Sequence, residues 1–365
     1  MGLLRICLAL AVISSHTCEL IPFKMTYGFF AVKIFFVISG FYMALVLNEK
    51  YFLQKNAYQT FIVNRILRLY PLYIVVFILS LIVYVLFAVF IGWSNVHQSY
   101  NVNLMNPYEY FWQNVDCFKN NWFLFFSLVF SNIFILGLDV LNFFKTPSPQ
   151  IIPQAWTLSL EFYFYFMAPF LVRQKTLRLL ILFMLSVCAR LWFAQQGFVN
   201  DPWSFRFFPF ELAFFLLGIF SYRIYQKIRH VKIPKIVFII FLFIVLAPIL
   251  DWETLKVFTV LNTSWNGVIV FCLQFLGIVI GLPVIFSYTK DIAFDRWIGE
   301  FSYPMYVIHF LVIYLLQSIL GISQKDSLFG WLAASICFII SFFLLYVFIY
   351  PLERMRSKRQ LSHKI

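Results

Sequence analysis

Charged residues are scarce in this chain. Only 12% of its 365 residues are charged, which is about half of the roughly 25% that a soluble domain carries. Hydrophobic residues make up 62%. A chain with so little charge cannot cover a water-facing surface, so most of its surface must face lipid. The composition excludes an ordinary soluble domain and predicts an integral membrane protein.

Sequence signatures of metal and nucleotide binding are also missing. The six cysteines form no CxxC pair, and no His/Cys cluster with zinc spacing occurs. We therefore predict no metal site. There is no Walker loop, GxGxxG element or GxSxG elbow either, and we predict no bound cofactor. No long polar segment offers a separate soluble domain, so a catalytic site must lie within or at the rim of a helix bundle.

Acidic residues are fewer than basic residues, 15 against 28, and the formal net charge is +13. In a soluble protein such an excess suggests nucleic acid. In a membrane protein, Lys and Arg collect on cytoplasmic loops and fix the orientation of the helices. We favour this second interpretation and expect membrane lipid, rather than nucleic acid, as the partner of the basic residues.

Long apolar runs are abundant. A helix that crosses a bilayer needs about 20 mainly apolar residues. Ten runs meet this need: Leu3–Leu20, Gly28–Leu47, Leu69–Gly92, Gln154–Val172, Thr176–Gln195, Phe207–Tyr222, Lys235–Leu250, Asn266–Ser287, Phe301–Leu320 and Leu328–Tyr350. The predicted fold is therefore all-α, a polytopic integral membrane bundle of about ten transmembrane helices.

An eleventh run, Trp122–Phe144, is ambiguous because it contains Asn132 and Asp139. If this run does not cross the membrane, twenty of the 28 basic residues lie on the cytoplasmic side and six outside. If it does cross, the basic cluster after Tyr222 falls outside and the bias is lost. We therefore predict that the run is interfacial or re-entrant and that both termini are cytoplasmic. Residues 1–352 then form one transmembrane domain with an extracytoplasmic or interfacial segment at 93–153, and residues 353–365 form a basic cytoplasmic tail.

Arg5 and His16 are the first candidates for a site. They are eleven residues apart, which is about three full turns, so they share one helix face. At 1.5 Å per residue, His16 lies about 16 Å outward from Arg5. The alternative is a basic membrane anchor and an ordinary hydrogen-bonded core histidine.

Glu161 lies about 12 Å below the outer surface if its helix starts near Gln154, close to the depth of His16. A lone carboxylate there needs a partner. His16 is a sensible one, because a carboxylate can orient an imidazole and stabilise its protonated form. The alternative is that Glu161 pairs with Lys33 or Arg190 and only holds the bundle together.

Arg65 and Arg68 are three residues apart, just before Tyr70 and Pro71. Two guanidinium groups on one helix face suit phosphate binding, although ordinary anchoring at the inner membrane surface explains them equally well. His309 lies about eight residues from the predicted inner end of its helix, and a structural role is favoured for it.

Six motifs occur in a characteristic order. They are R-x10-H from Arg5 to His16, FFVISGF (35–41), RILRLYP (65–71), WTLSLEFYF (156–164), FPFELAFFLLG (208–218) and SYPMYVIH (302–309). In this order and spacing the chain resembles the bacterial acyltransferase-3 family of membrane O-acyltransferases. The resemblance covers nearly the whole chain, and the family has about ten membrane-spanning helices.

The resemblance implies transfer of an acyl group, usually acetyl from acetyl-CoA, to a hydroxyl of a cell-surface glycan or lipid-linked glycan in the bacterial inner membrane. It implies that His16 is catalytic and that Glu161 matches the family's carboxylate. It also matches Arg5, Arg65 and Arg68 to the family's functional arginines, which we expect to bind acyl-CoA. The residues expected to support the site are Ser39, Gly40, Trp156, Ser159, His309 and Lys33.

Two departures concern the choice of acceptor. Lys33 stands where many members carry an acidic residue, and the Asp and Gly that often flank the first arginine are absent. Two other functions remain open. One is a transporter of glycans or lipid-linked sugars that performs no acyl chemistry. The other is an O-succinyltransferase in which Lys33 binds the distal carboxylate of the acyl group.

Overall fold

The structure is a computed structural model that describes residues 1–17, 20, 25–90, 121–140, 150–250, 264–320 and 327–351. These residues are mostly helical and contain no strand, so the predicted all-α fold is confirmed. The helices are α1 (Gly2–Ser15), α2 (Gly28–Val46), α3 (Ala57–Phe90), α4 (Trp122–Phe134), α5 (Trp156–Leu171), α6 (Thr176–Gln195), α7 (Trp203–Arg206), α8 (Phe208–Ile228), α9 (Lys235–Leu250), α10 (Ser264–Thr289), α11 (Ala293–Glu300), α12 (Ser302–Leu320) and α13 (Ser327–Leu344).

Three short segments extend these helices. A 3₁₀ turn, Pro153–Ala155, precedes α5, and π-helical turns follow α2 at Leu47–Tyr51 and α13 at Leu345–Ile349. They lengthen the helical path at the ends of three apolar helices.

Seven helical segments of the described chain are long and apolar enough to cross a membrane. They are Gly28–Tyr51, Ala57–Phe87, Thr176–Gln195, Trp203–Ile228, Phe271–Thr289, Ala293–Ile319 and Leu328–Ile349. Each overlaps one of the ten predicted runs, and the chain is a membrane protein. The other three runs contain α1, α5 and α9, with 14, 16 and 16 residues. A count of ten and cytoplasmic termini stay predictions.

The ambiguous run Trp122–Phe144 contains a short helix. α4 has 13 residues, or about 20 Å of rise, and a bilayer core is about 30 Å thick. The helix stops where Ile135 takes a left-handed conformation with φ 68°. This agrees with a segment that does not cross the membrane. Most of the predicted outer segment 93–153, and all of the tail 353–365, lie outside the described residues.

The chain divides into two compact units. The first comprises Met1–Val63 and Leu160–Ser302, and the second comprises Asn64–Ser159 and Tyr303–Ile365. The single domain expected over residues 1–352 stays a prediction.

The first unit is built around the crossing of α2 and α8. Gly40 and Gly218 meet there backbone to backbone: a Cβ on Gly218 would lie 2.8 Å from Gly40 Cα. Lys33 precedes Gly40 by seven residues, Glu211 precedes Gly218 by seven residues, and these two side chains form an ion pair. Because both contacts advance by two turns along both helices, α2 and α8 are parallel.

The parallel direction of α2 and α8 bears on topology. Parallel neighbours start on the same side of the membrane. Since α2 ends on the side opposite to its start, an odd number of crossings must lie between the end of α2 and the start of α8. If α3, α5 and α6 each cross, α2 and α8 share a direction only if α4 does not cross. The packing therefore agrees with the topology predicted from charge.

Candidate functional site

Helix α1 holds Arg5 and His16 at its opposite ends. Arg5 is half-buried one turn from the start, and His16 is the exposed C-cap residue. The backbone N–H of His16 donates to the carbonyl of Ile13 at 3.1 Å. The helix ends at Ser15, earlier than the predicted Leu20. The rise between Arg5 and His16 is still about 16 Å.

The start of α1 is held by Asp295 of α11. The backbone N–H groups of Gly2 and Leu3 donate to the two carboxylate oxygens of Asp295 at 2.8 and 2.9 Å. A helix N-terminus leaves such N–H groups without intrahelical partners, so Asp295 caps α1 from another helix. Gly2 also packs on Gly299, whose added Cβ would lie 2.6 Å from Gly2 Cα. The contact fixes where α1 begins and thereby positions Arg5.

Glu161 lies in α5 and is half-buried. Its Oε2 accepts a hydrogen bond of 2.7 Å from the Tyr165 hydroxyl, one turn further along the helix. The alternative in which Glu161 pairs with Lys33 or Arg190 is wrong, because both of those cations are paired with Glu211. A pairing of His16 with Glu161 stays a prediction.

Glu211 is the charged residue that sequence reasoning missed. It is fully buried near the start of α8. Lys33 Nζ lies 2.8 Å from Glu211 Oε1, and Arg190 donates to the same oxygen. A single acidic residue in the apolar segment FPFELAFFLLG is the same signal that singled out Glu161. Applied to every helix, it would have found Glu211.

Ser39 and Gly40 lie at the crossing of α2 and α8. Gly40 has no side chain because the backbone of α8 occupies that space. Ser39 is buried, and its Oγ has no hydrogen-bond partner within the described ranges. The structure gives Gly40 a packing role, as small residues have in membrane helix interfaces.

Trp156 and Ser159 lie at the start of α5, in the second unit. Trp156 is its first residue and is half-buried. Ser159 is fully buried, and its hydroxyl donates to the carbonyl of Ile135, where α4 has ended. Ser159 therefore joins the start of α5 to the end of α4.

The WTLS and SYPMYVIH motifs are joined directly within the second unit. Thr157 Oγ1 lies 2.8 Å from the Tyr306 hydroxyl, and Gln154 Nε2 donates to the Tyr306 carbonyl at 3.2 Å. His309 is fully buried, with Nδ1 2.6 Å from the same carbonyl. A buried imidazole held by its own helix agrees with the structural role favoured for His309.

Arg65 and Arg68 both lie inside α3, which starts at Ala57 instead of Leu69. They are not equivalent: Arg65 is 9% exposed, and Arg68 is exposed. The predicted phosphate-binding face is therefore asymmetric, with Arg68 as the accessible member. Their role in binding acyl-CoA stays a prediction.

The composition of the site bears on the chemistry it can perform. His16 supplies a titratable ring at an exposed helix end, which suits proton transfer or nucleophilic attack. Within the described part of the chain, no group of three His, Cys, Asp or Glu side chains has the geometry to hold a metal ion.

Comparison with known proteins gives the family. The sequence model of the family described as "Acyltransferase domain" matches residues 1–350. The chain belongs to the acyltransferase-3 family. An uncharacterized protein of Aquifex aeolicus (strain VF5) is similar, with 26% identity over 176 residues, 47% of this chain and 75% of that protein. No solved structure matches significantly. As an acyltransferase-3 protein, the chain is a membrane acyltransferase.

Proposed function

We propose that this acyltransferase-3 protein transfers an acetyl group from acetyl-CoA to a hydroxyl of a cell-surface carbohydrate in the bacterial inner membrane. The observation that carries the proposal is α1, one helix with a guanidinium at its start and an imidazole at its exposed end. A transporter does not require that arrangement. An acyltransferase has two substrates, and it uses this arrangement if the donor approaches one end of α1 and the acceptor approaches the other end.

The donor is acetyl-CoA, which is present on the cytoplasmic side. Under the predicted topology, Arg5, Arg65 and Arg68 lie on that side and bind its phosphates, for which guanidinium groups are well suited. Acetyl is favoured over succinyl because Lys33 forms an ion pair with Glu211. This leaves Lys33 less suited to bind the distal carboxylate of a succinyl group.

His16 is the group that reacts, by one of two routes. As a general base, its imidazole takes the proton of the acceptor hydroxyl while that oxygen attacks the thioester carbonyl carbon. The carbon–sulfur bond breaks, and the CoA thiolate leaves and takes up the proton. As a nucleophile, the imidazole first takes the acetyl group and releases CoA, and the acceptor oxygen then displaces the imidazole. Both routes give the same acetyl ester and free CoA.

Glu161 supports His16 by orienting the imidazole or balancing its charge. The Tyr165 hydroxyl donates to Glu161, which stabilises the ionised carboxylate that this role requires. The two residues should act as one unit, so their effects on rate should be non-additive. Adding Glu161→Gln to His16→Ala should cost little more than His16→Ala alone.

The test of the overall function uses purified protein in lipid vesicles with acetyl-CoA labelled in its acetyl group. Glycans from cells that express the protein, and from cells that lack it, are compared by mass spectrometry. The proposal predicts labelled acetyl ester on the glycan only when the protein is present. A succinyl mass would contradict the choice of donor. An unmodified glycan that nevertheless crosses the vesicle membrane would favour the transporter.

A further inference from the structure

Three helices bring charged side chains together at one level of the first unit. Lys33 lies five residues after the start of α2, Arg190 five residues before the end of α6, and Glu211 three residues after the start of α8. At 1.5 Å per residue all three are within about 5–8 Å of a helix end. Under the predicted topology these ends are extracytoplasmic, so the group lies near the depth of the lipid head groups.

The group carries more positive than negative charge. Lys33 and Arg190 share a single carboxylate, Glu211. The other carboxylate nearby in sequence, Asp201, is occupied by a bidentate contact with Arg206 at 2.8 and 2.9 Å. Among the described residues, one positive charge is therefore left over. An excess positive charge at head-group depth favours the approach of an anion.

Arg190 is the cation with capacity for a ligand. In the described part of the chain its guanidinium makes one hydrogen bond, from Nη2 to Glu211, and its Nε is buried without an acceptor. Lys33, by contrast, is 4% exposed and packs over the ring of Phe214, with Nζ 4.8 Å from the ring centroid. Because the Nε is buried, a phosphate is bound by the two Nη groups, which form the outer edge of the guanidinium and can bind phosphate oxygens in pairs.

Arg190 can be reached from the lipid. Its side chain is 24% exposed, and the next two residues of α6, Leu191 and Trp192, are 47% and 58% exposed. α6 therefore turns a broad apolar face outward, with Arg190 at the border between that face and α8. A phosphate carried by a lipid at head-group depth approaches this border without entering the bundle.

We propose that Arg190, held by Glu211 and supported by Lys33, binds the phosphate group of a membrane lipid at the extracytoplasmic face. A second part of the proposal rests on the function proposed above: the bound lipid is the carrier of the acceptor glycan. The phosphate then anchors the acceptor beside the bundle while a sugar hydroxyl extends toward His16.

The test measures lipid binding without acetyl-CoA, so a failure to bind lipid and a failure of acyl transfer are separate outcomes. Purified protein in neutral-lipid nanodiscs is titrated with phosphatidic acid, with a short-chain polyprenyl phosphate and with diacylglycerol, and bound lipid is counted by native mass spectrometry. Both phosphates should bind and diacylglycerol should not. Inorganic phosphate should compete only weakly, because it lacks the lipid anchor.

Two variants make the test specific. Arg190→Gln should weaken binding of both phosphates by about tenfold or more, the effect of losing a hydrogen bond to a charged group. Arg206→Gln is the matched control, since it removes an arginine on the same side whose charge Asp201 already neutralises; it should bind as the wild type does. If Arg190→Gln does not fold, Arg190→Lys keeps the charge but not the fork, and should still weaken binding.

The outcomes decide the two parts separately. Equal phosphate binding by the wild type and the folded Arg190 variants overturns the site, as does an equal loss in Arg206→Gln. Tighter binding of polyprenyl phosphate than of phosphatidic acid supports the carrier. Equal binding of the two lipids would mean that the site binds phosphate head groups in general. It would overturn the second part of the proposal, in which the bound lipid carries the acceptor glycan.

Discussion

Replacement of Gly218 by alanine tests the packing that positions the first unit. An added Cβ would lie 2.6 Å from Phe41 N and 2.8 Å from Gly40 Cα, and would also clash with the carbonyl of Val37. All three atoms are backbone and cannot rotate away. Because ordinary contacts are about 3.5 Å long, α2 and α8 must separate by roughly 1 Å.

The cost should be near the upper end of what overpacking causes, about 3 kcal/mol. This lowers the ratio of folded to unfolded protein by about a hundredfold. The separation also strains the Lys33–Glu211 ion pair, which joins the same two helices two turns away. We therefore expect a loss of thermal stability accompanied by a loss of acyl transfer.

Gly277→Ala is the matched control. Its added Cβ would meet only Ile244 Cγ2, at 2.7 Å, and a side chain can adjust. Both substitutions gain the same helix propensity, about 1 kcal/mol, so the difference between them reports packing. Heating in detergent followed by size-exclusion chromatography measures the folded fraction. A Gly218→Ala protein as stable as Gly277→Ala would refute the close crossing of α2 and α8.

Three further predictions follow from single features. Asp295→Asn removes the charge of the acceptor that caps α1 and should cost about 1 kcal/mol, with Asp295→Ala worse; equal melting temperatures for all three proteins would exclude the cap. Changing Arg65 and Arg68 together to Gln should raise the acetyl-CoA concentration needed for half-maximal transfer, and unchanged donor dependence in folded protein would reduce them to anchors. Cysteines placed at Asn101 and Gln226 should be labelled from outside only at Asn101; outside labelling at Gln226 would contradict the topology.

Composition and apolar run length predicted the all-α membrane fold because lipid exposure acts on every residue of a span. Helix ends were predicted less well. Arg65 and Arg68 were expected at the end of a span beginning at Leu69, yet α3 starts at Ala57. Helix propensity continues through polar residues that lie outside the membrane, so hydropathy marks the apolar span and not the helix end.

The candidate site was predictable where its residues share one helix. The expectation that Arg5 and His16 share one helix face follows from helix periodicity alone. Asp295, which caps α1, was not predictable, because the contact joins positions almost 300 residues apart and an exposed-looking acid near Arg296 gives no signal. Glu211 was predictable in kind, as a carboxylate in an apolar helix, but its partners Lys33 and Arg190 come from two other helices, and only packing brings the three together.

The most direct test of the central claim is the rate of acyl transfer by His16→Ala. Purified protein in vesicles receives acetyl-labelled CoA and the glycan acceptor, and labelled ester is measured over time. His230→Ala is the control, because it removes another histidine, exposed and bonded to Arg229. We predict that His16→Ala lowers the rate about a hundredfold or more while His230→Ala transfers normally. Transfer by well-folded His16→Ala at the wild-type rate would contradict the assignment of His16 as the reacting group.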